Sequence, residues 1–133
     1  ENIDIIQKRR TNIWNTYYSR LKEINSNLFY LPQTPNYAAN NGHMFYLVFK
    51  DDVRDVFISF LKNEGVYSVF HYLSLHKSEY YLNNYFHAPD ELPLADRYMD
   101  NLVRLPLFYE LTDDEVTYIT DKISKFSKQY LNV

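Results

Sequence analysis

The sequence predicts an α+β domain in which helices pack against a small sheet of about three strands. Two apolar runs rich in aromatic and β-branched residues, at residues 43–50 and 66–72, predict strands, and a helical pattern lies between them. A long amphipathic segment precedes this unit and another closes the chain. The 133 residues suit one domain, and an aromatic content of 18% favours a folded core over disorder.

The first element is a helix over residues 3–25, because apolar side chains recur there at spacings of three, four and seven residues. Acidic residues are interspersed among the basic ones on the opposite face, so we interpret that face as solvated rather than as an anion-binding patch. Prolines and asparagines then predict a loop over residues 27–42. The apolar stripe of the helix consists of Ile6, Ile13, Tyr17, Leu21 and Ile24.

The strand at residues 43–50 and the helix after it form the next unit. The strand is a continuous apolar run, which indicates that both of its faces are largely covered. Asp51 and Asp52 are expected to cap the helix, and Gly65 offers the left-handed conformation that ends it. The apolar stripe of this helix consists of Val53, Val56, Phe57, Phe60 and Leu61.

The second strand, residues 66–72, alternates between its two sides and has His71 near its C-terminal end. Residues 74–93 are predicted to be mostly irregular, with one or two helical turns in "SEYYLNNYF". The two sides of the strand carry Val66, Ser68 and Phe70, and Tyr67, Val69 and His71.

Three elements are expected in the last part of the chain. A short helix presents Leu94, Tyr98 and Leu102 on one face, and "RLPLFY" is predicted as an edge strand because Pro106 has no N–H for a ladder. The T-x-x-E pattern that starts at Thr112 predicts a capping box for the closing helix. The buried stripe of that helix consists of Val116, Ile119, Ile123, Phe126 and Tyr130.

Composition and charge exclude several classes of function. The net charge is −3 and the basic residues are scattered, so no concentrated positive face is present for nucleic acid. Without cysteine, neither disulfides nor thiolate metal sites can form. No N-terminal apolar run suggests a signal peptide or membrane span, so we expect a cytoplasmic protein without a membrane partner. The opening "ENIDIIQKRR" has no methionine, which predicts a fragment or a processed product.

The stretch "VFHYLSLH" holds the candidate functional residues, His71, Tyr72 and His76. The spacing of the two histidines matches no standard metal geometry, and Ser74 lacks the G-x-S-x-G elbow of a hydrolase. Glycine occurs only at positions 42 and 65, so no glycine-rich phosphate loop is present. The residues alone leave two roles open for His71, contact with a ligand or capping of the core.

Three ordered segments carry a family resemblance: "GHMFYLVFK", "LKNEGVYSVFHYLSLH" and "RLPLFYELTDDEV". There the chain resembles the C-terminal domain of the DegT/DnrJ/EryC1/StrS aminotransferases, fold-type I enzymes that use pyridoxal phosphate. "RRTNIWNTYYSRL" resembles the helix that joins the two domains of these enzymes. The resemblance implies an interdomain-type helix at residues 1–26 and the small α+β domain at 27–133, with the large domain outside this chain. Ser74 stands where members often have proline, so the turn after His71 is expected to be less rigid.

The resemblance implies that the full-length protein transfers an amino group, typically from glutamate, to a nucleotide-linked sugar. The likeness is strongest to members that convert a 4-keto-6-deoxyhexose into dTDP-4-amino-4,6-dideoxygalactose. Pyridoxal phosphate and its Schiff-base lysine would belong mainly to the large domain, and the enzyme would be a homodimer. His71 would face the substrate or cofactor, Tyr72 and His76 would shape the cleft wall, and this chain would hold no catalytic residue. The alternative is a non-catalytic ligand-binding or interaction module of similar shape.

Overall fold

The computed structural model describes residues 2–24, 27–85 and 92–131. A short 3₁₀ helix, Leu75–Lys77, also lies in these ranges. The helices and strands of the described residues are, in chain order, α1 (Ile3–Ile24), β1 (Phe29–Tyr30), β2 (Phe45–Phe49), α2 (Arg54–Asn63), β3 (Val69–Phe70), α3 (Glu79–Asn84), α4 (Pro93–Asn101), β4 (Leu102–Leu105) and α5 (Asp113–Leu131).

The described strands form one antiparallel sheet in the order β1-β2-β4-β3. β2 pairs with β4 so that Phe45 lies opposite Leu105. β3 pairs with the other side of β4, where Val69 lies opposite Arg104. The α+β prediction is confirmed, and β4, the last strand in the chain, lies inside the sheet between two earlier segments.

One face of the sheet packs against α1, α2 and α5, and we call it the helix-covered face. Phe45, Leu47 and Phe49 of β2 are 0% exposed, because alternate side chains of the strand point into this layer. The ring of Phe57 on α2 lies 4.8 Å from that of Phe49 and 5.1 Å from that of Phe126 on α5. These aromatic contacts join the sheet to two helices and form the centre of the core.

The opposite face, which we call the open face, carries Tyr46, Val69 and Arg104. α4 packs against β2 and β4 on this side, where Val48 and Leu102 are buried. Helix cover does not extend to β3, since Val69 is 46% exposed. The sheet therefore has one face that helices cover over β2 and β4, and one that offers polar and aromatic side chains to a ligand or another surface.

Three sequence predictions fail around the first two strands. The predicted loop 27–42 contains β1, whose Phe29 pairs with Phe49 because its ring packs edge-on against that ring in the core. Neither Asp51 nor Asp52 caps α2; the N-cap residue is Val53, and no side chain bonds to the free N–H groups there. Val56, placed in the stripe of α2, is 54% exposed.

The strand predictions near the end of the sheet need correction as well. β3 is shorter than residues 66–72, and β4 ends before Pro106 and is not an edge strand, because it pairs on both sides. The predicted short helix is confirmed as α4, although Leu102 lies in β4 and Leu94 and Tyr98 are 68% and 52% exposed. The region 74–93 contains the 3₁₀ helix and α3, and its residues 86–91 lie outside the described residues.

The capping box of α5 is confirmed. The backbone N–H of Thr112 donates to Glu115 Oε2 at 2.8 Å, and the Glu115 N–H donates to Thr112 Oγ1 at 3.2 Å. These bonds satisfy two of the amides that a helix start leaves free. Four of the five stripe residues are buried, whereas Tyr130 is 42% exposed.

α1 shares the core with the rest of the chain. Ile13, Tyr17 and Leu21 are buried as predicted, although Ile6 is 39% exposed. The basic face is not wholly solvated, because ion pairs join α1 to α5, such as Arg9–Asp113 at 2.8 Å. Residues 25–26 lie outside the described residues, and a domain boundary there remains a prediction. Among the described residues, no helix combines the length and apolar character needed to cross a membrane.

Candidate functional site

His71 directly follows β3, at the position where the sequence places it. Since Val69 lies opposite Arg104, the alternation of side chains puts His71 on the open face with both residues. Its imidazole is half-buried, and Nδ1 is buried without a hydrogen-bond partner among the described residues. Burial lowers the pKa of His71 below the usual 6.5, and the positive charge of Arg104 lowers it further. At pH 7 the imidazole is therefore neutral, with one nitrogen that accepts and one that donates.

Tyr72 and Arg104 surround this imidazole. The rings of His71 and Tyr72 lie 4.5 Å apart, and Tyr72 is 74% exposed. The guanidinium carbon of Arg104 lies 6.0 Å from the centre of the Tyr72 ring, within the range of a cation–π interaction. The three side chains form one cluster, which we call the open-face cluster, in which an exposed aromatic ring lies beside a neutral imidazole and a cation.

His76 has a different environment from the other two predicted residues. It is 8% exposed, and its Nε2 lies 3.0 Å from Asp96 Oδ1 on α4. The same carboxylate oxygen lies 3.0 Å from Lys77 Nζ. The Ser74 N–H points to the sulfur of Met99 at 3.3 Å, so the 3₁₀ helix and the residue before it are attached to α4 at two points. His76 thus holds the segment that follows the open-face cluster.

A hollow of about 310 Å³ lies on the other side of Arg104. Arg10 and His43 line it with Arg104, and its lining includes no carboxylate among the described residues. Arg10 donates to the carbonyls of Gly42 and His43, and these bonds attach the loop at one side of the hollow to α1. Gly42 has a φ of 60°, and a Cβ there would lie 3.0 Å from the backbone nitrogen of Thr11. Only glycine allows the loop to approach α1 this closely.

Sequence reasoning missed Arg104 and Tyr46, which face each other across β4 and β2. The burial of Tyr46 raises the pKa of its phenol, and the nearby phenol of Tyr98 adds to that effect. The available signal was the pattern "LVRL", in which one arginine interrupts three buried apolar residues. A cation in an internal strand needs either a counter-charge or a ligand.

Comparison with known proteins identifies the family. The model of the DegT/DnrJ/EryC1/StrS aminotransferase family matches residues 1–124. The chain belongs to this family. An uncharacterized protein of Methanocaldococcus jannaschii is 22% identical over 126 residues, which cover 92% of this chain and 32% of that protein.

Several solved structures share the fold of this chain. The aminotransferase TlmJ from Streptoalloteichus hindustanus superposes with a TM-score of 0.84 at 22% identity, covering 99% of this chain and 34% of that one. DesV of S. venezuelae gives a TM-score of 0.86 at 22% identity, covering 96% and 33%. The chain thus spans about a third of the length of the relatives that it matches.

The described residues do not by themselves fit the pyridoxal phosphate that the family implies. Desolvation in an apolar pocket is one way in which a protein activates a lysine for Schiff-base formation. Every lysine of the chain lies among the described residues, and each side chain is exposed or half-buried. Lys77 pairs with Asp96, and Lys122 and Lys125 pair with Glu64. Among the described residues, no group of three or more His, Cys, Asp or Glu side chains is placed to hold a metal ion.

Proposed function

We propose that this chain is the C-terminal domain of a pyridoxal phosphate-dependent aminotransferase that acts on a nucleotide-linked sugar. The observation that carries the proposal is the family match over residues 1–124, together with a fold shared with aminotransferases of known structure. The proposed acceptor is a nucleotide-linked 4-keto-6-deoxyhexose, converted to its 4-amino sugar as in dTDP-4-amino-4,6-dideoxygalactose, with glutamate as the donor. The cofactor supplies the electron sink for amino-group transfer, and residues outside this chain hold it.

The open-face cluster is the proposed wall of the substrate cleft. His71 forms a hydrogen bond with the sugar through its neutral imidazole, and Tyr72 provides an exposed ring beside it. Neutral His71 suits an uncharged hydroxyl better than a charged imidazolium would, since it offers both a donor and an acceptor.

His76 shapes this wall without touching the substrate. With 8% exposure and a carboxylate at 3.0 Å, it anchors the segment after Tyr72 to α4. Ser74 lacks the rigid φ of a proline, so the contacts of the 3₁₀ helix with α4 hold the turn in place. Tyr72 therefore keeps its position beside His71.

The full-length protein is proposed to be a homodimer with the active site completed by the large domain. Many side chains between β3 and α4 are apolar and exposed, among them Leu73 at 71% and Leu75 at 83%. Exposed apolar surface of this kind marks a contact with another part of a protein or with a partner.

The test compares the full-length protein with this chain alone. With pyridoxal phosphate, glutamate and a dTDP-linked 4-keto-6-deoxyhexose, the full-length protein is expected to form the amino sugar, measured by chromatography and mass spectrometry. This chain alone is expected to form none, and borohydride reduction with the cofactor is expected to label no single lysine stoichiometrically. A folded full-length protein that transaminates no nucleotide sugar would contradict the proposal and favour a non-catalytic binding module.

A further inference from the structure

Arg104 is a half-buried cation without a counter-charge among the described residues. Its Nε is buried and has no hydrogen-bond partner there. No ion pair of the described residues includes it. The ion pairs formed elsewhere are Arg9–Asp113, Arg20–Asp121, Arg54–Asp55, Lys77–Asp96, Lys122–Glu64 and Lys125–Glu64.

An arginine in this position reduces stability unless something offsets its desolvation. Burial of a charge costs free energy, and the face of an aromatic ring such as Tyr72 offsets only part of that cost. The guanidinium is planar and presents several N–H donors, which match the two oxygens of a carboxylate or phosphate group. The backbone of Arg104 is held in place, because β4 pairs with a strand on each side.

The surroundings of Arg104 favour an anion. The adjacent hollow of about 310 Å³ is lined by Arg10, His43 and Arg104 and by no carboxylate of the described residues. On its other side lies His71, whose Nδ1 also lacks a partner. Two neighbouring nitrogens without partners lie on one face, and buried polar groups in native proteins are normally paired.

We propose that Arg104 binds the oxyanion of a substrate that lies along the open face. The assignment to a substrate of amino transfer rests on the proposed function, whereas oxyanion binding by itself does not. Two substrates carry such a group: the nucleotide sugar has a diphosphate and the amino donor has carboxylates. Arg104 then sets the position of the ligand along the open face, and where that ligand is the nucleotide sugar, His71 and Tyr72 contact the part next to the diphosphate.

The test measures equilibrium binding to the full-length protein by calorimetry, with thymidine diphosphate and glutamate as separate probes. Arg104→Gln is expected to weaken one of the two by about 10- to 100-fold, the range for loss of a charged hydrogen-bond partner. Weakened thymidine diphosphate binding assigns the diphosphate to Arg104, and weakened glutamate binding assigns the carboxylate. The affinity for thymidine diphosphate in the first case should also fall less steeply with salt in the variant.

Arg97→Gln is the matched control. Arg97 also lies over a tyrosine, with its guanidinium carbon 5.6 Å from the Tyr30 ring, and it lies outside the Arg104 hollow. Arg97→Gln should leave the affinities for thymidine diphosphate and for glutamate within about twofold of those of the wild type. If Arg104→Gln fails to fold by circular dichroism, Arg104→Lys replaces it, because lysine keeps the charge but loses the planar fork.

Unchanged affinity for both probes in a folded Arg104 variant overturns the proposal. The binding result is separate from turnover. A protein that binds thymidine diphosphate through Arg104 but transfers no amino group refutes the proposed function and supports oxyanion binding. An active enzyme whose Arg104 variant binds both probes normally supports the proposed function and refutes oxyanion binding by Arg104.

Discussion

His71→Ala in the full-length protein is expected to impair the half-reaction of the nucleotide sugar much more than that of the amino donor. The imidazole is half-buried beside Tyr72 on the open face, and its Nδ1 has no partner among the described residues. Loss of one hydrogen bond to the sugar would leave the hydroxyl partner unpaired, at a cost of about 1–3 kcal/mol. That cost corresponds to a decrease of about 5- to 150-fold in kcat/KM for the nucleotide sugar.

The assay follows the two half-reactions separately by stopped-flow absorbance of the cofactor. The donor half-reaction is expected to change by less than about threefold, since His71 contacts the sugar in the proposal and not the donor. His71→Gln, which keeps a donor and an acceptor, should recover part of the loss. Since burial and the charge of Arg104 lower the pKa of His71 from 6.5, protonation of this group should reduce kcat/KM for the sugar only at a lower pH than it would for an ordinary histidine.

Equal rates for wild type and His71→Ala in the sugar half-reaction, with the fold intact by circular dichroism, would refute this reasoning. His71 would then be a histidine that caps the end of β3. An equal loss in both half-reactions would also contradict it, because a residue that positions the cofactor affects the two steps together.

Two further predictions concern stability and use chemical denaturation. Thr112→Ala should destabilise the protein by about 1 kcal/mol through loss of the α5 cap, whereas Thr112→Ser should retain most of the stability; equal midpoints would show that the cap contributes nothing. Hydrogen bonds from Lys122 and Lys125 lower the pKa of Glu64 from 4.5 to about 2. Because the folded pKa is depressed, this stabilisation is present above pH 4.5 and is lost as the pH falls toward 2. Glu64→Gln should therefore lower the urea midpoint at pH 6, and its difference from wild type should narrow at pH 3; a constant difference would contradict the linkage.

The helices and the strand that the sequence predicted correctly are those with a local signal. The stripe of α1 at Ile13, Tyr17 and Leu21 follows from a 3.6-residue period, which depends only on neighbouring residues. The cap of α5 needs only Thr112 and Glu115, three residues apart. The position of β2 follows from an apolar run bounded by turn residues. In each case the pattern that decides the structure lies within one short stretch of the chain.

The failed element predictions involve partners that are distant in sequence. β1 exists because Phe29 packs on Phe49 in the core, and nothing within residues 27–42 indicates that pairing. Aspartates at 51 and 52 have the right chemistry for a cap, but the N-cap position of α2 is Val53, which has no side chain able to accept a hydrogen bond. Pro106 suggested an edge strand, yet the proline lies outside β4 and so removes no bond from the ladder.

The candidate site divides in the same way. The sequence by itself determined the family and placed His71 and Tyr72 at a strand end, because a strand, a histidine and a tyrosine are adjacent in the chain. Only the tertiary structure decided that Arg104 lies beside them and that His76 turns away to Asp96. The order of strands and the register of β3 on β4 bring these groups together, and both depend on how the whole core packs rather than on any local pattern.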